Sequence, residues 1–166
     1  EAIRKFQEAI NALQLNQDSE YLLAILMYNI SLCHYHLKNY RQTVEYLDKV
    51  IPLAKDTSNS YLLLDALIIK SVLLTDRYKQ YHESNEYLDQ AYEIAVRNRH
   101  TPSINQIWNN WGHNFFYLKQ HMLAEQALQY SIRLSSKHDD TKNSLGAELK
   151  LAELWMELNR KTEAKK

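Results

Sequence analysis

Histidines and their neighbours are the residues of this chain best suited to chemistry. Cys33, His34, Tyr35 and His36 form the run CHYH, His82 and Glu86 stand four apart, and His113 follows Asn110 by three. A metal ion would need ligands converging from one side. On a helix His34 and His36 are about 200° apart, so they cannot share an ion. The pair His82 and Glu86 does share a face, as do Asn110 and His113. Neither pair has the third ligand or the orienting carboxylate that zinc or triad chemistry requires. A phosphate-cradling loop needs glycines, and the chain has only 2. The expectation is a protein with no catalytic residues, no metal and no cofactor, and hence not an enzyme.

Composition bounds the remaining classes. The 166 residues are 45% hydrophobic, enough for a continuous core. Lysine plus arginine and aspartate plus glutamate number 20 each, so no excess charge draws the segment to nucleic acid or an anionic membrane. Direct DNA contact by this segment is therefore not expected, and the first residues, EAIRKFQEAI, start inside a helical pattern, so a preceding segment is expected. That start also lacks the pattern of a secretion signal, and no apolar run reaches membrane-spanning length. The lone Cys33 cannot form an internal disulfide and reads as a small core side chain, which suits a cytoplasmic location.

The elements that must position any binding residue are helices. Strand-and-turn folds need many residues with positive φ or fixed turns, and this chain has 2 glycines and 2 prolines. Polar clusters at 56–60, 98–103 and 137–141 alternate with short breaks at 37–39, 78–80, 118–120 and 158–160, which is the pattern of helical hairpins. In the second cluster Thr101 is suited to cap a helix whose first residue is Pro102. The segments after the short breaks superpose. Ala2, Thr43, Ser84, Ala124 and Ala164 fall on one small-residue site, spaced by 41, 41, 40 and 40 residues. The expected fold is therefore all-α: one domain over 1–166 in which antiparallel hairpins stack as an α-solenoid, a right-handed superhelix of about four repeats. Residues 1–17 supply the second helix of a truncated repeat. Residues 20–57, 60–98 and 102–137 make whole repeats, and 141–166 an incomplete one.

Trp108, Trp111, Gly112 and Phe115, followed by Ala124 and Leu128, resemble the tetratricopeptide repeat pattern W-x2-L-G-x2-Y then A-x3-F, with tryptophan in the leucine place. The glycine would let the second helix approach at its alanine, while the tryptophans, Trp155 included, close gaps between hairpins. Val72 at the glycine site and His34 and Thr75 at the tyrosine site depart from the pattern. The period also exceeds the family's ~34 residues, which helices longer by about a turn would explain. The resemblance implies a concave groove lined by the first helix of each hairpin, holding a short peptide or protein segment. Residues turned away from the tryptophan stripe would line it: Asn109, Asn110, His113, Phe116 and Tyr117. Their counterparts are Tyr28, Asn29 and Leu32, then Lys70, Leu73 and Arg77, and finally Lys150. Asn29, Lys70, Asn110 and Lys150 would form a polar rail, the asparagine amides holding peptide backbone and the lysines taking carboxylates.

The segments NYRQTVEYLDKVI and YHESNEYLDQAYEIA, with the abundance of tyrosine and asparagine, are similar to the C-terminal sensor domains of peptide pheromone receptors of Gram-positive bacteria. That likeness implies binding of a short signalling peptide and, through an N-terminal module that alone would contact DNA, transcription regulation in quorum sensing. A homodimer is compatible with it. The alternative is a passive scaffold, adaptor or oligomerisation module that docks a folded protein.

Overall fold

The computed structural model describes residues 1–13, 17–138 and 141–158, without the side chains of 17, 18, 138, 141 and 142. Ala164, the rest of 159–166 and the centre of the 137–141 break lie outside the described residues. Within the described residues are eight α-helices: α1 (Ala2–Ala12), α2 (Gln17–His36), α3 (Tyr40–Asp56), α4 (Ser60–Leu73), α5 (Tyr81–Arg97), α6 (Thr101–Tyr117), α7 (His121–His138) and α8 (Thr141–Glu157). A π-helical turn, Leu74–Tyr78, continues α4. Among the described residues, the breaks at 37–39, 56–60, 78–80, 98–103 and 118–120 coincide with helix junctions.

The chain divides into two compact units, Glu1–Tyr78 and Lys79–Lys166. The boundary falls inside the repeat expected over 60–98. In the first unit α2 packs on α1, α3 and α4, and α3 also packs on α4. In the second, α6 packs on α5, α7 and α8, and α7 also packs on α8. At the small-residue site Thr43, Ser84 and Ala124 are all fully buried, so the periodicity marks close approach of helices. Ala2 does not follow the rule. It is exposed, as is Ala9, because α1 packs chiefly on α2 and buries no residue completely.

How does so glycine-poor a chain end its helices? Lys38, Ser58, Lys79, Arg99 and Lys119 adopt φ between 53 and 61°, the left-handed conformation usually left to glycine. At four of them the next backbone N–H returns to the helix's last turn: Asn39 to His34 O, Asn59 to Ala54 O, His100 to Ala95 O and Gln120 to Phe115 O, each 2.9 Å. A left-handed non-glycine residue costs about 1–2 kcal/mol, whereas glycine costs about 0.5–1 kcal/mol in unfolded-chain entropy. Arg99→Gly is therefore expected to stabilise the second unit by up to about 1 kcal/mol, seen as a raised midpoint in urea. An unchanged or lowered midpoint would show that the cap is unstrained. The same turn explains a shift at the start of α6. The left-handed residue has already reversed the chain, so Thr101 is helical and His100 takes the cap position. His100 Nδ1 and Ser103 Oγ share a hydrogen bond of 2.8 Å. Asn59 caps α4 more conventionally, its side chain accepting from Leu62 N at 3.2 Å.

Candidate functional site

In the second unit α6 lies between α5 and α7, and its faces have different partners. Gly112 is buried, and a Cβ there would lie 2.6 Å from both Cγ and Cδ2 of Leu128. The glycine therefore admits Leu128 of α7, one turn beyond the expected Ala124. Trp108 and Trp111 meet nearly edge to face, with centroids 5.0 Å apart, and both touch Tyr92 of α5. Trp108 also touches Tyr130 of α7 at 4.7 Å. These rings close gaps between helices as expected. Trp155 does so on α8, donating from Nε1 to Glu125 at 3.0 Å.

The opposite face of α6 carries the five residues expected to meet a peptide, and it is turned toward α8. Asn109 Nδ2 lies 3.3 Å from where a Cβ on Gly146 would be. One to two turns on, Lys150 Nζ stands 4.9 Å from the Phe116 ring centre and 5.0 Å from that of Tyr117. It donates to Glu153 Oε2 at 2.6 Å and to the Tyr117 hydroxyl at 3.4 Å. Tyr117 stacks on Tyr81 of α5, with centroids 5.1 Å apart and planes 12° from parallel. Phe116, Tyr117 and Lys150 thus converge. Burial would lower the lysine's pKa, but the Glu153 carboxylate and the Tyr117 oxygen outweigh it and hold the ammonium above its ordinary value. On the same face Asn109 Oδ1 and Asn110 Nδ2 are buried without a hydrogen-bond partner.

The first unit has its own counterpart. Tyr28, Asn29 and Leu32 are half-buried on α2. Burial, then the Asp65 carboxylate of α4, pushes the Tyr28 phenol up to about 12, so it stays a protonated donor. Lys70 is 5% exposed and paired with Asp48, and Leu73 is 0% exposed. Neither offers a surface to a ligand. Arg77, carried by the π turn, lies over the Tyr40 ring at 4.2 Å and donates to its hydroxyl at 2.7 Å. The lysines expected to take peptide carboxylates therefore have carboxylates of their own, because a buried ammonium is costly unless paired.

Two side chains outside the expected set prove more consequential for the frame. Asn114 is 0% exposed and donates to Ser84 Oγ at 2.9 Å and Asn85 Oδ1 at 2.7 Å, both on α5. Asn105, 2% exposed, donates to Ser135 Oγ at 2.8 Å and accepts from Ser131 Oγ at 2.7 Å, both on α7. The polar bonds thus tie α6 to both neighbours. Nothing in their local sequence separates these asparagines from Asn109 and Asn110.

The histidines are directed to different neighbours. His34 stacks on Tyr46 of α3 at 5.6 Å, whereas His36 is exposed beside Tyr35. Among the described residues no group of three or more His, Cys, Asp or Glu side chains could hold a metal ion. Nor, among them, is any helix long and apolar enough to cross a membrane.

These features define an all-α fold of the tetratricopeptide-like repeat class. Comparison with solved structures agrees. The apo form of RapI superposes with a TM-score of 0.82 at 16% identity, over 98% of this chain and 45% of that one. A putative kinesin light chain of Podosopora anserina with nearly identical TPR-like repeats gives 0.73 at 16% identity, covering 98% of this chain and 80% of the other. A variant of the latter gives 0.75. The chain thus spans less than half the length of RapI. No family model matches the sequence, and no curated protein matches it.

Proposed function

We propose that this chain is a peptide-binding repeat segment. In its second unit, a short extended peptide would lie along the α6 face bearing Asn109, Asn110, His113, Phe116 and Tyr117, bordered by Lys150. The carrying observation is the pair of buried amide atoms, Asn109 Oδ1 and Asn110 Nδ2, left without partners one to two turns from the Lys150 cluster. Each unmet polar atom costs about 1–3 kcal/mol. A peptide backbone carries both complements, an N–H for Asn109 and a carbonyl for Asn110. Phe116 and Tyr117 supply apolar contact. Tyr28, Asn29 and Leu32 are the equivalent candidates in the first unit.

On this reading the chain is the sensing part of a bacterial transcription regulator, working in the cytoplasm on a signalling peptide, with output in residues outside this chain. The sequence likeness to pheromone receptors and the fold likeness to RapI support it. The fold likeness to a kinesin light chain favours the second reading, a scaffold that docks a folded protein. Calorimetry with short linear peptide pools separates them. We expect at least one pool with Kd on the order of micromolar, weakened about tenfold by Asn110→Ala. No binding below a millimolar, or affinity indifferent to Asn110→Ala, would leave the scaffold reading.

A further inference from the structure

A cavity of about 390 Å³ opens on the tryptophan side of α6, among α5, α6 and α7. Trp108, Trp111 and Phe115 form its apolar walls, with Asp89 and Asn85 of α5 and Gln126 of α7 among its polar lining. We propose that this cavity is a binding site for the arginine side chain of a partner polypeptide.

The two indoles stand at 79° to one another and both line the cavity, Trp108 being half-buried and Trp111 9% exposed. Tryptophan is the aromatic that attracts cations most strongly. The stretch of α5 beside the cavity, residues 86–93, carries only acidic charges. Glu86, Asp89 and Glu93 lie at i, i+3 and i+7 along α5, and among the described residues no lysine or arginine forms an ion pair with any of them. Partial burial, then repulsion from Glu86 and Glu93, already raises the Asp89 carboxyl. An entering cation relieves that repulsion, a carboxylate adds to it, and a neutral apolar guest desolvates Asp89 without compensation.

Why arginine? Its guanidinium is planar, weakly hydrated and able to stack on an indole while its N–H edge meets a carboxylate. A lysine ammonium is a hydrated point charge that gives up more on entry. The ring cluster already hosts one such contact from its own chain, with Arg133 5.8 Å from the centre of Tyr130, which in turn touches Trp108. This site is independent of the peptide surface proposed above. By helical register Trp108 points roughly half a revolution, and Trp111 about a third of one, from Asn110 and Tyr117.

Two of the chain's 3 tryptophans line the cavity, so indole emission reads occupancy directly. N-acetyl-arginine amide, titrated at 0.15 M salt, is expected to give a saturable change with Kd on the order of millimolar. N-acetyl-citrulline amide, of the same shape without the charge, and N-acetyl-lysine amide should each bind about tenfold more weakly. Asp89→Asn, at an exposed position, should weaken arginine about fivefold without altering citrulline, and Asn110→Ala should change neither. Equal binding of arginine and citrulline, equal binding of lysine, no saturable response, or indifference to Asp89→Asn would each overturn the assignment.

Discussion

Leu128→Ala is expected to lower the stability of the second unit by about 3–4 kcal/mol, because its side chain is fully buried where three helices meet. Leu128 belongs to a cluster with Ala124, Ala147, Leu151 and Leu154, flanked by Phe115, Phe116 and Trp155. It also fills the space over Gly112. Truncation leaves a void that small neighbours such as Ala124 and Ala147 cannot fill. The sharper form of the test is the pair with Gly112→Ala. In the parent chain a Cβ at position 112 meets both Cγ and Cδ2 of Leu128, and overpacking of this kind costs about 1–3 kcal/mol. That exceeds the ~1 kcal/mol alanine gains over glycine in a helix. With Leu128 truncated the clash is gone and only the gain remains, so the same substitution should become stabilising. Urea unfolding followed by tryptophan emission checks this, since all 3 tryptophans lie between 79 and 166. A Gly112→Ala effect of the same sign in both backgrounds would refute the proposed contact.

Asn114→Leu is the second large effect, a loss of about 3 kcal/mol despite similar volume and greater hydrophobicity. Two hydrogen bonds disappear from a site with no exposure, and Asn85 Oδ1 loses its donor inside the α5–α6 contact. Adding Ser84→Ala should recover about 1 kcal/mol, since removing both sides of a buried polar pair costs less than removing one. A fully additive double variant would mean the Asn114 to Ser84 bond contributes nothing.

The hairpins were legible because their signals are local. Polar residues cluster at the turns, and Thr43, Ser84 and Ala124 repeat at a spacing that only helix packing explains. The burial of Lys70 and Lys150 was not legible. Asp48, which holds Lys70, is 22 residues away, and a lysine reads as a surface residue until its carboxylate is placed beside it. Asn105 and Asn114 were hidden for a related reason. Their partners sit 26 to 30 residues away on other helices, and asparagine type alone does not separate a buried linker from a solvated amide. Asn110 attracted notice through its repeat equivalence with Asn29, a signal that reports register and says nothing of burial. The π turn at Leu74–Tyr78 and the cavity beside Trp108 depend on backbone and three-helix geometry that no short window of residues encodes. Left-handed caps escape detection when lysine, serine or arginine occupies the place where glycine is sought.

Asn105 and Asn114 stand nine positions apart on α6, so their side chains leave the helix about 180° from one another. They act as dowels driven through opposite sides of one rod. With one anchored in α7 and the other in α5, α6 can neither spin about its axis nor slide along it without shearing both joints. Pulling on Asn110 from outside would therefore drag the three rods along together, and any message would leave as a displacement of the whole block.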